Sequence, residues 1–307
     1  MISLKQINYA IAVAETLHFK KAAEACNVSQ SALSTAIHEL EKHLSVTLFE
    51  RNNKNVFITT QGELFLQKAR NIKLEVDDLY QMAQLDKSPL TAPMTIGVIP
   101  TIGPYLLPKV LPAVRKAFPN FKLKIIEEQS HVLVDMVRKG DIDTAILALP
   151  YPLENLISFD FWQEDFYWVS HQDECPNSLK EITSNELALE KLMLLKDGHC
   201  LKDHALAACS LSNKGMESSF DSTSLHTIVQ MVAGKLGTTL VPHMALDQLV
   251  AKSAELRAVH LNEPGPHRRI SFVIRPNYVR TKDIDQLKAL FSEQMANYSK
   301  ELVIEHS

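Results

Sequence analysis

Two closely spaced helical patterns followed by a pair of short strands constrain this chain most, because few small folds accommodate that order. Residues 4–16 carry Leu4, Ile7, Ile11 and Ala14 at three- and four-residue steps, the period of one helix face. His18 and Phe19 interrupt the pattern, and residues 20–25 resume it as a short second helix. Asn27-Val28-Ser29 then reads as a turn, with Ser29 placed to cap a third helix. In that helix Ala32, Leu33, Ala36, Ile37, Leu40 and Leu44 form a single apolar stripe. The run LFERNNKNVFITTQG reads as two strands around a polar Asn-Asn-Lys-Asn tip. Close helices, a strand pair and a basic tip predict a winged helix-turn-helix over residues 1–60.

Residues 61–87 read as a long helix with Leu64, Leu66, Ala69, Ile72, Leu79 and Met82. So small a domain cannot bury all of that surface, and a two-stranded contact with a second copy is expected to cover it. SPLTAP, residues 88–93, has two prolines and no apolar period and is read as a linker. From 94 to 307 strand and helix patterns alternate: MTIGVIP and LLPKVLPAVRKAF, FKLKIIEEQ and VLVDMVRKG, then DTAILAL. STSLHTIVQMVAGKLGTTLVP and ISFVIRP, with a helix over 282–298, continue the alternation. That order predicts an α/β domain with a largely parallel sheet in two lobes. Lobe I is placed at about 94–164 and 268–307, lobe II at about 165–267.

Composition excludes some classes. No run of about 18 apolar residues is present, and the N-terminus is not a basic segment followed by an apolar core. A cytoplasmic protein without membrane contact is expected. Four cysteines, Cys26, Cys175, Cys200 and Cys209, are then not structural disulfides, and with no CxxC pair no bound metal or other cofactor is expected. Cys26 reads as a core filler and Cys175, between Glu174 and Pro176, as an exposed bystander. The net charge of −4 is uneven, +1 over residues 1–60 and −5 over the rest, which has the right sign for a nucleic-acid-binding N-terminus.

The run AAEACNVSQSALSTAIHELEKHLSVTLFER, residues 22–51, closely resembles the DNA-binding domain of LysR-type transcriptional regulators. Two positions depart from the family pattern: Ser45 stands for a glycine after the third helix, and Ser31 for a proline in its first turn. The resemblance implies a winged helix-turn-helix and a linker helix, then a two-lobed α/β effector domain like a periplasmic binding protein. It also implies double-stranded promoter DNA, RNA polymerase and a second copy of the chain, as homodimer or homotetramer, as partners. The front of such a recognition helix enters the major groove, which puts Gln30, Ser31, Ser34, Thr35 and His38 against base edges and phosphates. Arg51 and Lys54 at the wing are expected on phosphates.

LMLLKDGHCLKDHALAACSL, residues 192–211, resembles the redox loop of the OxyR peroxide sensors, a LysR subfamily, at Gly198-His199-Cys200-Leu201, Asp203 and Cys209. GVIPTIGPYLLP (97–108), Thr223-Ser224-Leu225 and Arg268-Arg269-Ile270 extend the likeness over most of the chain. The family's usual arginine two positions after the first cysteine is Lys202 here, which keeps the charge and loses the planar fork. The resemblance implies Cys200 as the thiol that attacks hydrogen peroxide and Cys209 as the thiol that resolves the sulfenic acid to a disulfide, later reopened by a cellular thiol reductant. Thr101, Ser130, His199, Lys202, Asp203, Arg268 and Arg269 would line the peroxide pocket. Only the thiolate is nucleophilic, so the neighbourhood must favour the anion. Residues 204–208 are strongly helical, with Asp203 as a possible cap. A helix between the two thiols holds them roughly 12–14 Å apart, whereas a disulfide needs Cα atoms within ~7 Å. A bridge therefore requires local unfolding. Two other readings remain at this point: a LysR-type regulator binding a small carboxylate metabolite between the lobes near Thr101 and Ser130, and a thiol peroxidase, which the N-terminal motif argues against.

Overall fold

Side-chain caps mark out the N-terminal helices in the computed structural model, which describes residues 1–52, 55–82, 89–210 and 224–305. Helix α1 (Leu4–Thr16) starts on Ser3, which exchanges hydrogen bonds with Gln6 in a capping box. Helix α2 (Phe19–Ala25) starts on His18, whose Nδ1 accepts from the Lys20 amide at 3.2 Å. Helix α3 (Gln30–Leu44) starts on Ser29, whose Oγ accepts the Ala32 N–H at 3.2 Å. It ends on Ser45 at φ 55°, a left-handed position that glycine would take with less strain. Strands β1 (Phe49–Arg51) and β2 (Val56–Ile58) pair antiparallel, and the Glu41 carboxylate ties α3 to them by accepting the Leu48 and Phe49 amides at 2.8 and 3.1 Å. Helix α4 (Thr60–Met82) buries Leu66 and Ala69 in the core that holds Leu33, Ile37 and Leu40. Its Leu64, Ile72 and Leu79 stay exposed. These elements belong to one compact unit, Met1–Asp86; a second spans Lys87–Ser307.

The second unit holds two mixed sheets. In the first, β3 (Met94–Val98), β4 (Leu123–Glu127) and β5 (Thr144–Leu149) run parallel, joined by α5 (Gly103–Ala117) and α6 (Ser130–Lys139). Strand β6 (Ile157–Glu164) and the late strand β11 (Arg268–Ile274) complete it in the order β4-β3-β5-β11-β6, with β11 antiparallel to both neighbours. The second sheet contains β7 (Phe166–His171), β8 (Glu181–Ile182), β9 (Thr239–Pro242) and β10 (Leu256–Leu261) in the order β8-β10-β7-β9. Only β8 and β10 are parallel there. The expectation of a largely parallel sheet therefore holds for β3, β4 and β5 and for the β8–β10 pair, and fails elsewhere. Helix-period segments set the crossovers only at the start of the domain; later strands return from the other sheet and pair antiparallel. Helices α7 (Cys200–Ala208), α8 (Leu225–Ala233), α9 (Leu246–Leu249) and α10 (Thr281–Glu305) complete the unit.

The chain passes between the sheets twice, from β6 to β7 and from β10 to β11. The two passages touch: His267 Nδ1 accepts the Phe166 N–H at 2.9 Å, and the Arg268 guanidinium meets the Glu164 carboxylate at 2.7 Å.

Candidate functional site

Gly198 turns the chain into α7. Its φ is +96°, and a Cβ there would sit 3.3 Å from the Gln129 Oε1, so the position favours glycine on both counts. His199 follows as the N-cap, and Cys200 is the first helical residue. The helix thus begins before Asp203, which lies in its first turn and does not cap it; Leu201, Ala205 and Leu206 are buried, and packing extends the helix to Cys200. Cys209 stands just past the last turn. Nine steps of about 1.5 Å place the two thiols' backbones about 13–14 Å apart along the axis, and both thiols are free. No bridge closes while α7 is helical.

The Cys200 thiol is 4% exposed, and burial pushes it up; a hydrogen bond to Ser130 and the charge of Arg268 act the other way, while the Asp203 carboxylate adds to the rise. Cys209 is pushed up to about 11 by burial and by the Glu263 charge. His199 is held neutral by burial and by Lys196, so it brings no positive charge to the thiol.

Arg268 is fully buried. Its Nε donates to Glu164 Oε1 at 2.7 Å, its Nη2 to the Thr101 carbonyl at 3.3 Å, and its Nη1 has no partner among the described residues. The Thr101 hydroxyl and the His199 Nε2 are likewise buried and unpartnered. Buried polar atoms ordinarily find a protein or water partner, and three that have none among the described residues lie close to Cys200. A cleft of about 1010 Å³ reaches Thr101 and His199 and is lined also by Glu127, Glu128, Asp247 and Lys252; Cys200, Ser130 and Arg268 are not among its lining residues.

Not every expected pocket residue arrives there. Arg269 points to the opposite face of β11, exposed and bound to Asp160 at 2.7 Å, because successive strand residues face opposite sides. Lys202 gives its ammonium to Asp197 at 2.7 Å. Asp203 is exposed, and its charge opposes the thiolate. Cys175, expected on the surface, is 4% exposed: the turn Gln172–Glu174 turns its acidic side chains outward and Cys175 inward. Cys26 is half-buried against the N-terminal core. Among the described residues no cluster fit to hold a metal occurs. Glu164 was not foreseen. The signal for it was indirect: an arginine on a buried strand needs a counter-ion, and sequence gives no register from which to choose one.

In the first unit, Gln30, Ser31, Thr35 and His38 are exposed along one face of α3, with Ser34 half-buried beside them. Arg51 reaches across from β1, donating to Ser34 Oγ at 3.2 Å and stacking over Phe19 at 3.5 Å. Lys54 lies outside the described residues. The five α3 positions and Arg51 form one polar, partly basic surface, the arrangement a groove-reading helix requires.

Comparison with known proteins adds to this geometry. Residues 4–63 match the bacterial regulatory helix-turn-helix proteins of the lysR family, and residues 88–296 match the LysR substrate binding domain. The chain is 34% identical over 301 residues to a "Hydrogen peroxide-inducible genes activator" of Dickeya chrysanthemi, covering 98% of both chains. It is 35% identical over 283 residues to the "HTH-type transcriptional regulator EstR" of Acinetobacter baylyi, covering 92% of this chain and 94% of that one. Overall identity thus does not separate differently named relatives. Among solved structures, a full-length OxyR cysteine-to-aspartate variant from Pseudomonas aeruginosa superposes with a TM-score of 0.79 at 32% identity, covering 95% of each chain. A hydrogen-peroxide-bound OxyR cysteine-to-serine mutant from Corynebacterium glutamicum gives 0.65 at 30% identity, covering 96% of this chain and 93% of that one.

Proposed function

The chain belongs to the LysR family of bacterial helix-turn-helix regulators, and from that premise we propose that it is a peroxide-sensing transcriptional regulator switched by a reversible Cys200–Cys209 disulfide. One observation carries the reading: Cys200 opens a helix beside Ser130 and Arg268, where Thr101 Oγ1, His199 Nε2 and Arg268 Nη1 lie buried without partners among the described residues. Hydrogen peroxide is small and can both donate and accept, which suits such atoms. The first helical turn and the guanidinium both favour a sulfur anion. The Cys200 sulfur attacks one peroxide oxygen, the O–O bond breaks, and the departing hydroxide takes up the thiol proton as water. The product is Cys200 sulfenic acid. The Cys209 thiol then displaces its hydroxyl, giving the disulfide and a second water.

The protein acts as a stoichiometric sensor and not as a turnover peroxidase. It binds promoter DNA through α3 and the wing, activating antioxidant genes with RNA polymerase as partner. It pairs with itself through the exposed Leu64, Ile72 and Leu79 of α4, works in the cytoplasm, and is reset by a cellular thiol reductant. Among the described residues no helix is long and apolar enough to cross a membrane. The Glu127 and Glu128 carboxylates on the cleft wall work against a carboxylate metabolite there, while Asp247 is already paired with Lys109 at 2.9 Å and Lys252 is the cation among the lining residues. The test is trapping with a sulfenic-acid reagent after one equivalent of peroxide. Cys200→Ser should abolish the adduct and Cys209→Ser should let it accumulate; rapid peroxide consumption by Cys200→Ser would overturn the assignment.

A further inference from the structure

His204 stands one helical turn after Cys200 on the same face of α7. It is 2% exposed, an unusual degree of burial for histidine. Its Nε2 lies 2.8 Å from the Pro150 carbonyl, just beyond β5. A carbonyl only accepts, so Nε2 carries the proton and Nδ1 holds a lone pair. That Nδ1 is buried and has no partner among the described residues. The charged groups that act on the ring are Arg268 from β11 and Asp203 from α7 itself; Tyr151, after β5, interacts with the same Asp203 and with Cys200. Burial, the largest influence, pushes the imidazole's pKa down together with the nearby guanidinium, and outweighs the Pro150 hydrogen bond and the Asp203 carboxylate, which push it up. A second proton would convert Nδ1 into a buried donor facing nothing, beside a cation.

We propose that His204 is a latch: a positioning residue that pins α7 in its helical form to the Pro150 carbonyl and so sets the rate at which Cys209 reaches oxidised Cys200. The inference rests on the Cys200–Cys209 switch proposed above. The first chemical step needs no movement of α7. The second, in which sulfenic acid and thiol become disulfide and water, needs the helix to open, and opening breaks this bond. The Nε2–H bond to Pro150 is made by the neutral and the charged ring alike, but burial of the ring and of its open Nδ1 makes the closed form favour the neutral one. In the open segment His204 regains an ordinary pKa of about 6.5, so as pH falls below that value the open form takes up a proton more readily than the closed form. The segment therefore opens more readily in acid, and the switch senses acidity together with peroxide.

The experiment measures the lifetime of the Cys200 sulfenic acid in the full chain after one equivalent of peroxide, by acid quench, thiol labelling and peptide mass spectrometry. His204→Leu, which removes the donor, should shorten that lifetime about five-fold at pH 8, the worth of one net hydrogen bond. His204→Gln offers an N–H at the same reach and should restore the long lifetime at pH 8. The ratio of wild-type to His204→Gln rates cancels the ionisation of the thiols, and it should rise as pH falls from 8 to 5.5. Hydrogen exchange of reduced His204→Leu across 200–208 checks that the helix still forms. Equal lifetimes in all three proteins, or a ratio flat with pH, would overturn the latch while leaving the switch intact. Failure of the wild-type chain to form the disulfide at all would instead remove the reading on which the latch stands.

Discussion

Charge deletion at the sheet crossover should be costly singly and much less so in combination. Arg268 and Glu164 face each other at 2.7 Å with fully buried side chains. Arg268→Gln leaves the Glu164 carboxylate with the Met244 N–H at 2.7 Å as its remaining hydrogen bond among those described. Glu164→Gln keeps an acceptor oxygen at the same reach but leaves the guanidinium without its counter-charge, beside the 3.3 Å contact to the Thr101 carbonyl. Removing one partner of a buried pair costs about 3–5 kcal/mol, mostly from the uncompensated charge. In the double variant neither charge remains, and the residual cost is that of imperfect hydrogen bonding, about 1–3 kcal/mol. The double variant is therefore expected to be more stable than either single one, a strong departure from additivity. Urea unfolding of the reduced protein reads the effect, with Trp162 and Trp168 on the two strands that meet at the crossover as fluorescent reporters. Single losses below about 1 kcal/mol, or a double variant that simply sums them, would refute the view that this pair anchors the site.

Three further outcomes follow from the geometry. Ser130→Ala removes the hydrogen bond that lowers the Cys200 thiol, so peroxide should oxidise it several-fold more slowly at neutral pH; an unchanged rate in stopped-flow would contradict this. Cys209, pushed up to about 11, is protonated in the native state well above the pH at which an ordinary thiol of about 8.5 ionises. Iodoacetamide at pH 7.5 should accordingly label it roughly a hundred-fold more slowly in the native reduced chain than in urea, and comparable rates would show that α7 is open at rest. On DNA, Arg51→Ala should weaken every sequence and flatten the salt dependence, whereas Gln30→Ala should cost ~1–3 kcal/mol at one base position per half-site, as read in binding titrations.

Much of this was legible in the residues because it is written in local periodicity. The cap on Ser29, the stripe through Leu33, Ile37 and Leu40, and the alternation from residue 94 onward all depend on neighbours in sequence. The two thiols were legible because Gly198-His199-Cys200-Leu201 and Cys209 form a compact motif. What was not legible depends on register or packing at long range. Arg268 and Arg269 are adjacent and chemically equal, and only the pairing of β11 with β6 decides which enters the site. Glu164 lies over a hundred positions from its partner, |i−j| being 104. Cys175 looked exposed because its acidic neighbours are hydrophilic, yet a single turn separates their directions. Asp203 looked like a cap because aspartate favours that role, and buried Leu201 drew the helix start to Cys200 instead.

Joining Cys200 to Cys209 by peroxide requires the helix between them to open. That requirement is tested most directly by combining a disulfide map with hydrogen exchange on the same sample, before and after one equivalent of hydrogen peroxide. A single Cys200–Cys209 bridge is expected, with Cys26 and Cys175 still alkylatable in urea, and with amide protection lost across 200–208. A bridge through Cys175 or Cys26, or a Cys200–Cys209 bridge with α7 still protected, would contradict it.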